Sequence, residues 1–131
     1  MAVDKEAVIA DPIRSLVPLA HVRDMHASIA FYAKLGFAVE NSVTADDTNQ
    51  PMWCRLTSGH AELMLAWRER PAGGHRDGVL FYMYCDDSEA AHRLLTDRGL
   101  AVGSINRPFY NPGGEFELTD PDGHVIFVAQ I

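Results

Sequence analysis

Short stretches in which apolar and polar positions alternate are separated, twice, by a segment with the wider spacing of a helix. Residues 15–22 read as a strand, with Val17, Leu19 and His21 on one face and Leu16, Pro18, Ala20 and Val22 on the other. Pro18 cannot donate to a ladder, so an edge or an irregular place is expected there. Asp24 fits a helix N-cap. The helix is expected over 25–35, apolar along Ile29, Tyr32 and Leu35 and widened by Met25 and Phe31, with Gly36 closing it. A second strand is expected over 37–42 and a polar loop over 44–51. Strands 52–57 and 60–67 then form a hairpin about Ser58-Gly59.

The same order returns after the charged, Gly- and Pro-containing stretch 68–77. A strand is expected over 78–85, an Asp86/Asp87 cap, a helix over 88–98 burying Ala91, Leu94 and Leu95, and a strand over 100–105. A loop over 106–114 follows, then a hairpin of 115–119 and 124–130 about Asp120-Pro121-Asp122-Gly123. Asp24, Ala27, Gly36, Ala38 and Val39 recur at one constant offset as Asp87, Ala90, Gly99, Ala101 and Val102. The chain therefore reads as a lead-in of residues 1–14 and a single domain, 15–131, of two βαβββ modules, 15–67 and 78–131, joined by the linker 68–77.

Composition narrows the function classes. The 131 residues suit one domain with one core. A net charge of −7 without a basic stripe speaks against nucleic acid and anionic membrane as partners. No apolar run approaches the ~20 residues of a membrane helix. The acidic first residues do not read as a secretory leader, and a cytoplasmic location is expected. Cys54 and Cys85 lie in apolar strands, form no C-x-x-C pair, and are expected as buried reduced thiols.

The stretches V-R-D-M-x-x-S-I-x-F-Y, L-G-F, E-L-M-L and D-P-D-G-H, set in this duplicated order, resemble the vicinal oxygen chelate superfamily. That superfamily takes in glyoxalase I, extradiol dioxygenases, methylmalonyl-CoA epimerases and bleomycin-resistance proteins. The resemblance covers about residues 15–130 and implies an α+β fold whose mixed sheets form a U-shaped trough, the glyoxalase/bleomycin resistance fold. It also implies where metal-dependent members carry their four ligands, usually His and Glu. Here those positions hold Val17, Leu80, Glu62 and Phe127, and only Glu62 can donate a lone pair. The resemblance is thus nearest the metal-free bleomycin-resistance branch, whose members trap a flat, partly aromatic molecule, usually between two protomers. It implies a metal-independent binding protein for a small, partly aromatic organic ligand, with no cofactor; the acidic charge favours a cationic ligand, and a homodimer is expected because each small module leaves edges and apolar surface for a partner to cover. The alternative is a divergent lyase, isomerase or dioxygenase with one divalent metal, using Glu62 as the catalytic group and His21, with His60 or His124. A third is an interaction module with a vestigial trough.

Candidate pocket residues follow from strand faces. His21 shares the face of Val17. Glu62 is placed to act as a base or to pair a cationic ligand, unless Arg55 meets it across the hairpin. Trp53 shares a face with Arg55, and the sequence leaves open which face that is. Tyr82 and Tyr84, with hydroxyls to keep wet, are expected on a pocket wall with Phe127, and Phe109 and Tyr110 in the loop beside it. His26, His60, His75 and His92 are expected at the surface, and His124 simply to begin the last strand.

Overall fold

A computed structural model describes residues 11–45 and 47–131; most of the expected lead-in, and Asp46 in the expected loop, lie outside them. Both helices start at their aspartates. Asp24 and Asp87 keep extended backbone, and their side chains accept from the amides of Ala27 and Ala90, each at 3.0 Å. From these caps run α1 (Met25–Lys34) and α2 (Ser88–Asp97). Each helix is stopped by a glycine at positive φ, Gly36 at 103° and Gly99 at 86°.

The strands are β1 (Leu19–Val22), β2 (Ala38–Thr44), β3 (Pro51–Ser58), β4 (Ala61–Trp67), β5 (Phe81–Cys85), β6 (Glu115–Thr119) and β7 (Val125–Gln130). They form two mixed sheets, ordered β1-β4-β3-β2 and β5-β7-β6, in which β1 runs parallel to β4 and β5 parallel to β7. This is the expected α+β architecture. Helix α1 packs on β2, β3 and β4, and α2 on β6 and β7. One core joins both modules, with Val22, Tyr32, Leu56 and Leu65 in the first and Leu95, Phe116 and Ile126 in the second.

The structure corrects the expectations in several places. The first strand begins at Leu19 rather than 15, because Pro18 offers only its carbonyl, which accepts from the Met64 amide at 2.9 Å. The fifth begins at Phe81 rather than 78. Residues 100–105 form no strand. They touch β6 through the Gly103 amide on the Glu117 carbonyl (2.8 Å), and the bridge of Asn106 to Glu115 follows, so the second sheet has three strands. Gly103 crosses where a Cβ would stand 3.3 Å from that same carbonyl. Leu94, expected in the core, is 47% exposed. It stands about 100° round the helix from the buried Leu95, and Ala91 shares the Leu95 face. His92 is half-buried rather than at the surface: its Nε2 donates to the Gly103 carbonyl at 2.9 Å and its ring meets Phe116 edge-on. Cys54 and Cys85 are free, and burial pushes both thiols up.

A polar latch holds the modules together. The buried Asp120 in the turn before β7 accepts from the Tyr32 hydroxyl of α1 at 2.7 Å and from His124 Nδ1 at 2.8 Å, both on Oδ2. Its Oδ1 accepts from the amides of Asp122 and His124, each at 2.9 Å. His124 is therefore more than the start of a strand, and its ring stacks on Phe81 with centroids 5.9 Å apart. Asp122 accepts from the Arg23 amide at 3.0 Å. The linker closes on the same turn: the Gly74 amide donates to the Asp122 carbonyl at 3.0 Å, where any Cβ would fall 2.2 Å from His124 Cα.

Candidate functional site

Each sheet keeps one face on the core and leaves the other open, and the open faces carry most of the candidate residues. In β3, Cys54 and Leu56 point inward, so Trp53 and Arg55 point outward; in β4 the inward pair is Leu63 and Leu65. The face of Trp53, open in the sequence, is thus settled by its neighbours. The register sets Arg55 opposite Met64 and Thr57 opposite Glu62. Arg55 and Glu62 are therefore diagonal neighbours, and Arg55 Nη2 donates to Glu62 Oε2 at 2.8 Å. The hydrogen bond and charge of Glu62 hold the guanidinium above its ordinary value. Arg55 Nε is buried without a partner among the described residues. His21 pairs in register with Ala66, which Trp53 flanks on its other side, so His21 and Trp53 sit two strands apart on the same open face.

On the second sheet the register sets Tyr82 beside Phe127 and Tyr84 beside Ala129. The rings of Tyr82 and Phe127 stack with centroids 4.9 Å apart and planes 7° apart, and Tyr84 lies 6.4 Å from Tyr82. Tyr82, 42% exposed, donates from its hydroxyl to Glu115 Oε2 at 3.1 Å. Burial of its ring and the Glu115 carboxylate push the Tyr82 phenol up to about 12, with a smaller contribution from Tyr110. Glu115 is only 3% exposed, and its Oε1 has no partner among the described residues. Glu115 is not among the residues expected from the sequence. Its signal was alternation, since Phe116 and Leu118 face the core and Glu115 and Glu117 must face away.

Phe109 and Tyr110 pack edge-to-face at 5.5 Å in the loop before β6; Phe109, at 97% exposure, stands out from the sheet, whereas the Tyr110 side chain comes up to Tyr82. A cleft of about 790 Å³ between the modules brings Glu62, Tyr82 and Tyr84 together with Leu80 and Leu94. His21, Trp53, Arg55, Phe109, Tyr110 and Phe127 lie outside its lining. A second cavity, about 520 Å³, is lined by Arg23, Met52 and Trp67 at the far end of the first sheet. Among the described residues no three His, Cys, Asp or Glu side chains converge as a metal set. Val17 and Leu80 precede β1 and β5, and Phe127 stacks on Tyr82; none of these side chains can coordinate a metal. The residues do not fit the four-ligand centre that the resemblance describes for metal-dependent members. What the two faces offer is aromatic surface, an Arg–Glu pair and a shielded carboxylate.

A family model described as Glyoxalase/Bleomycin resistance protein/Dioxygenase superfamily matches residues 16–128. The fold is similar to that of a bleomycin-binding protein complexed with bleomycin, at TM-score 0.64 and 22% identity over 91% of this chain and 99% of that one. It is similar to an antibiotic-binding protein from Streptomyces sp. CB03234, at TM-score 0.64 and 23% identity over 89% and 96%. A bleomycin-binding protein from bleomycin-producing Streptomyces verticillus, complexed with copper(II)-bleomycin, gives TM-score 0.65 and 18% identity over 91% and 97%. No curated protein is significantly similar in sequence.

Proposed function

The chain belongs to the Glyoxalase/Bleomycin resistance protein/Dioxygenase superfamily, and from there we propose that it is a metal-independent binding protein that sequesters a small, partly aromatic molecule as a homodimer. The observation that carries this reading is the parallel stack of Tyr82 on Phe127, half open to solvent, with a carboxylate at its edge. An aromatic wall with a few placed polar groups is what a small-molecule site requires. Phe127 matters twice, because it supplies the stacking surface at a place where the resemblance sets a metal-ligating Glu in other members. Glu62, the one surviving donor of that set, is engaged by Arg55. The similar proteins named for bleomycin and antibiotic binding support a small organic ligand.

The dimer part of the proposal rests on exposed surface. β2 is exposed along its whole length, and Leu19, Val43, Tyr82 and Tyr84 present apolar surface on open sheet faces. A second copy covering these faces would bury that surface and enclose the aromatic wall. No helix among the described residues is long and apolar enough to cross a membrane.

The test is a titration of the protein with bleomycin and with a panel of planar aromatic compounds, followed by tryptophan fluorescence and thermal shift, with and without a chelator. Saturable binding that survives the chelator is expected. Failure of every compound to bind at saturating concentration, or binding that returns only with added divalent metal, refutes the reading. Sedimentation at the mass of a single chain refutes the dimer.

A further inference from the structure

Glu115 opens β6 almost wholly buried, yet only half of its carboxylate is used. Oε2 accepts the Tyr82 hydroxyl, and Oε1 accepts nothing among the described residues. An ionised carboxylate is acceptor-only, with room for about four hydrogen bonds. Leaving one oxygen bare and buried is unfavourable unless something arrives to satisfy it. The Arg76 guanidinium on this face does not serve, since it is taken by Glu117. The groups at hand are the stacked rings of Tyr82 and Phe127, whose faces carry negative potential. The whole chain carries a net charge of −7.

We propose that Glu115 is the anchoring carboxylate of a cation subsite, which takes a protonated amine, amidine or guanidinium group on the aromatic ligand while the Tyr82–Phe127 stack supports its flat body. The subsite rests on the binding function proposed above. An N–H cation completes the shell of Oε1 and is drawn to the rings beside it. A neutral head group brings a weaker hydrogen bond, and an anionic one is repelled. Tyr82, half exposed, keeps its ring in the stack, and its hydroxyl on the same carboxylate is the group an arriving cation competes with.

Two probes of one shape separate charge from fit: 4-phenylbenzamidine, a cation at neutral pH, and 4-phenylbenzamide, which is neutral. The wild-type protein is expected to bind the amidine at least about tenfold more tightly by calorimetry, the factor set by one charge-assisted hydrogen bond. Glu115→Gln keeps the shape and removes the charge, so the preference should collapse toward unity with little change for the amide. A preference that survives Glu115→Gln overturns the subsite and leaves the binding function standing. If neither probe nor any planar compound binds wild type, the binding function and the subsite fail together. Should Glu115→Gln not fold, Tyr82→Phe takes its place: losing the competing hydroxyl should raise the amidine preference, and an unchanged ratio overturns the proposal. Loss of dimers in Glu115→Gln with probe affinities unaltered would give the carboxylate to a second copy of the chain and overturn it as well.

Discussion

Replacing Tyr32 by phenylalanine removes one oxygen from the middle of the inter-module latch and little else. The ring stays packed edge-to-face against Phe31 and Phe37, at 5.0 and 6.0 Å. What is lost is the 2.7 Å bond from a fully buried hydroxyl to Asp120, 88 residues away. Burial, then the charge of Asp120, pushes this phenol far above its ordinary value, so it remains a donor throughout the accessible pH range. A hydrogen bond to a charged group contributes roughly 1.5–3 kcal/mol. Asp120 is not stripped by the change, because His124 and two backbone amides still hold it. The expected loss is therefore about 2 kcal/mol. At about 2.1 cal/mol/K per residue over this chain, that lowers Tm by roughly 7 °C. Scanning calorimetry at matched protein concentration measures it, with Tyr84→Phe, a change at an exposed ring, expected to stay within about 0.5 kcal/mol. A Tyr32→Phe variant that melts like the Tyr84→Phe control would show that the hydroxyl does not secure Asp120 and that the modules are held by apolar packing alone.

The latch also sets a pH dependence. The hydrogen bond to Asp120 holds the His124 imidazole above its ordinary value, against the opposing effect of burial. Burial pushes the Asp120 carboxyl up, but the hydrogen bonds from His124 and Tyr32 outweigh it and hold the group below its ordinary value. The His124 contribution is complete below its unfolded value of 6.5 and is lost as pH rises through the folded value. That of Asp120 is complete above its unfolded value of 3.8 and is lost as pH falls through the folded one. Urea midpoints should therefore be highest between these two values and decline on either side, and His124→Asn should flatten the upper limb; a variant with the wild-type profile would exclude His124 as the cause. Gly74→Ala, with backbone atoms 2.2 to 2.4 Å from the new Cβ, should cost about 3 kcal/mol in denaturant titration, and a loss under about 0.5 would mean that the linker moves freely off the turn. Elemental analysis of protein purified without chelator or polyhistidine tag should find far less than one divalent metal per chain; stoichiometric metal would overturn the metal-independent reading and direct attention to Glu62 and His21.

Features written into neighbouring residues were legible in the sequence. Asp24 and Asp87 act within three residues of themselves, and Gly36 and Gly99 stop helices through their own φ, so both helices could be placed to within a residue. The hairpin of β3 and β4 was legible from period-two alternation, which also made the Arg55–Glu62 pair a stated alternative. What escaped depends on distant partners. Nothing near Asp120 announces Tyr32, and nothing near His92 announces that the Gly103 carbonyl passes close enough to accept its hydrogen bond. Leu94 stands exposed where a core position is expected, because an apolar stripe on a short helix does not reveal how wide a face the neighbouring elements cover. Residues 100–105 have the composition of a strand, but a strand also needs a continuous partner, and β6 meets this segment at isolated points.

The distribution of satisfied and unsatisfied polar atoms separates the parts of the molecule that serve folding from those left for a ligand. Where the modules meet, Asp120 accepts four hydrogen bonds and is closed to solvent. Among the described residues two buried side-chain polar atoms lack partners, Arg55 Nε and Glu115 Oε1, and both belong to residues on open sheet faces, one on each sheet. A chain that completes the shell of a buried aspartate across 88 residues does not leave its other buried groups short for want of means. An incomplete donor on one face and an incomplete acceptor on the other describe the polar half of a recognition surface, of which the Tyr82–Phe127 stack is the apolar half. On this reasoning Glu115→Gln, which removes an unpaired charge from the free protein, should cost less stability than Tyr32→Phe, although Glu115 and Tyr32 are both buried. The opposite order in the same calorimetric experiment would mean that Glu115 is a structural group whose partner lies within the fold.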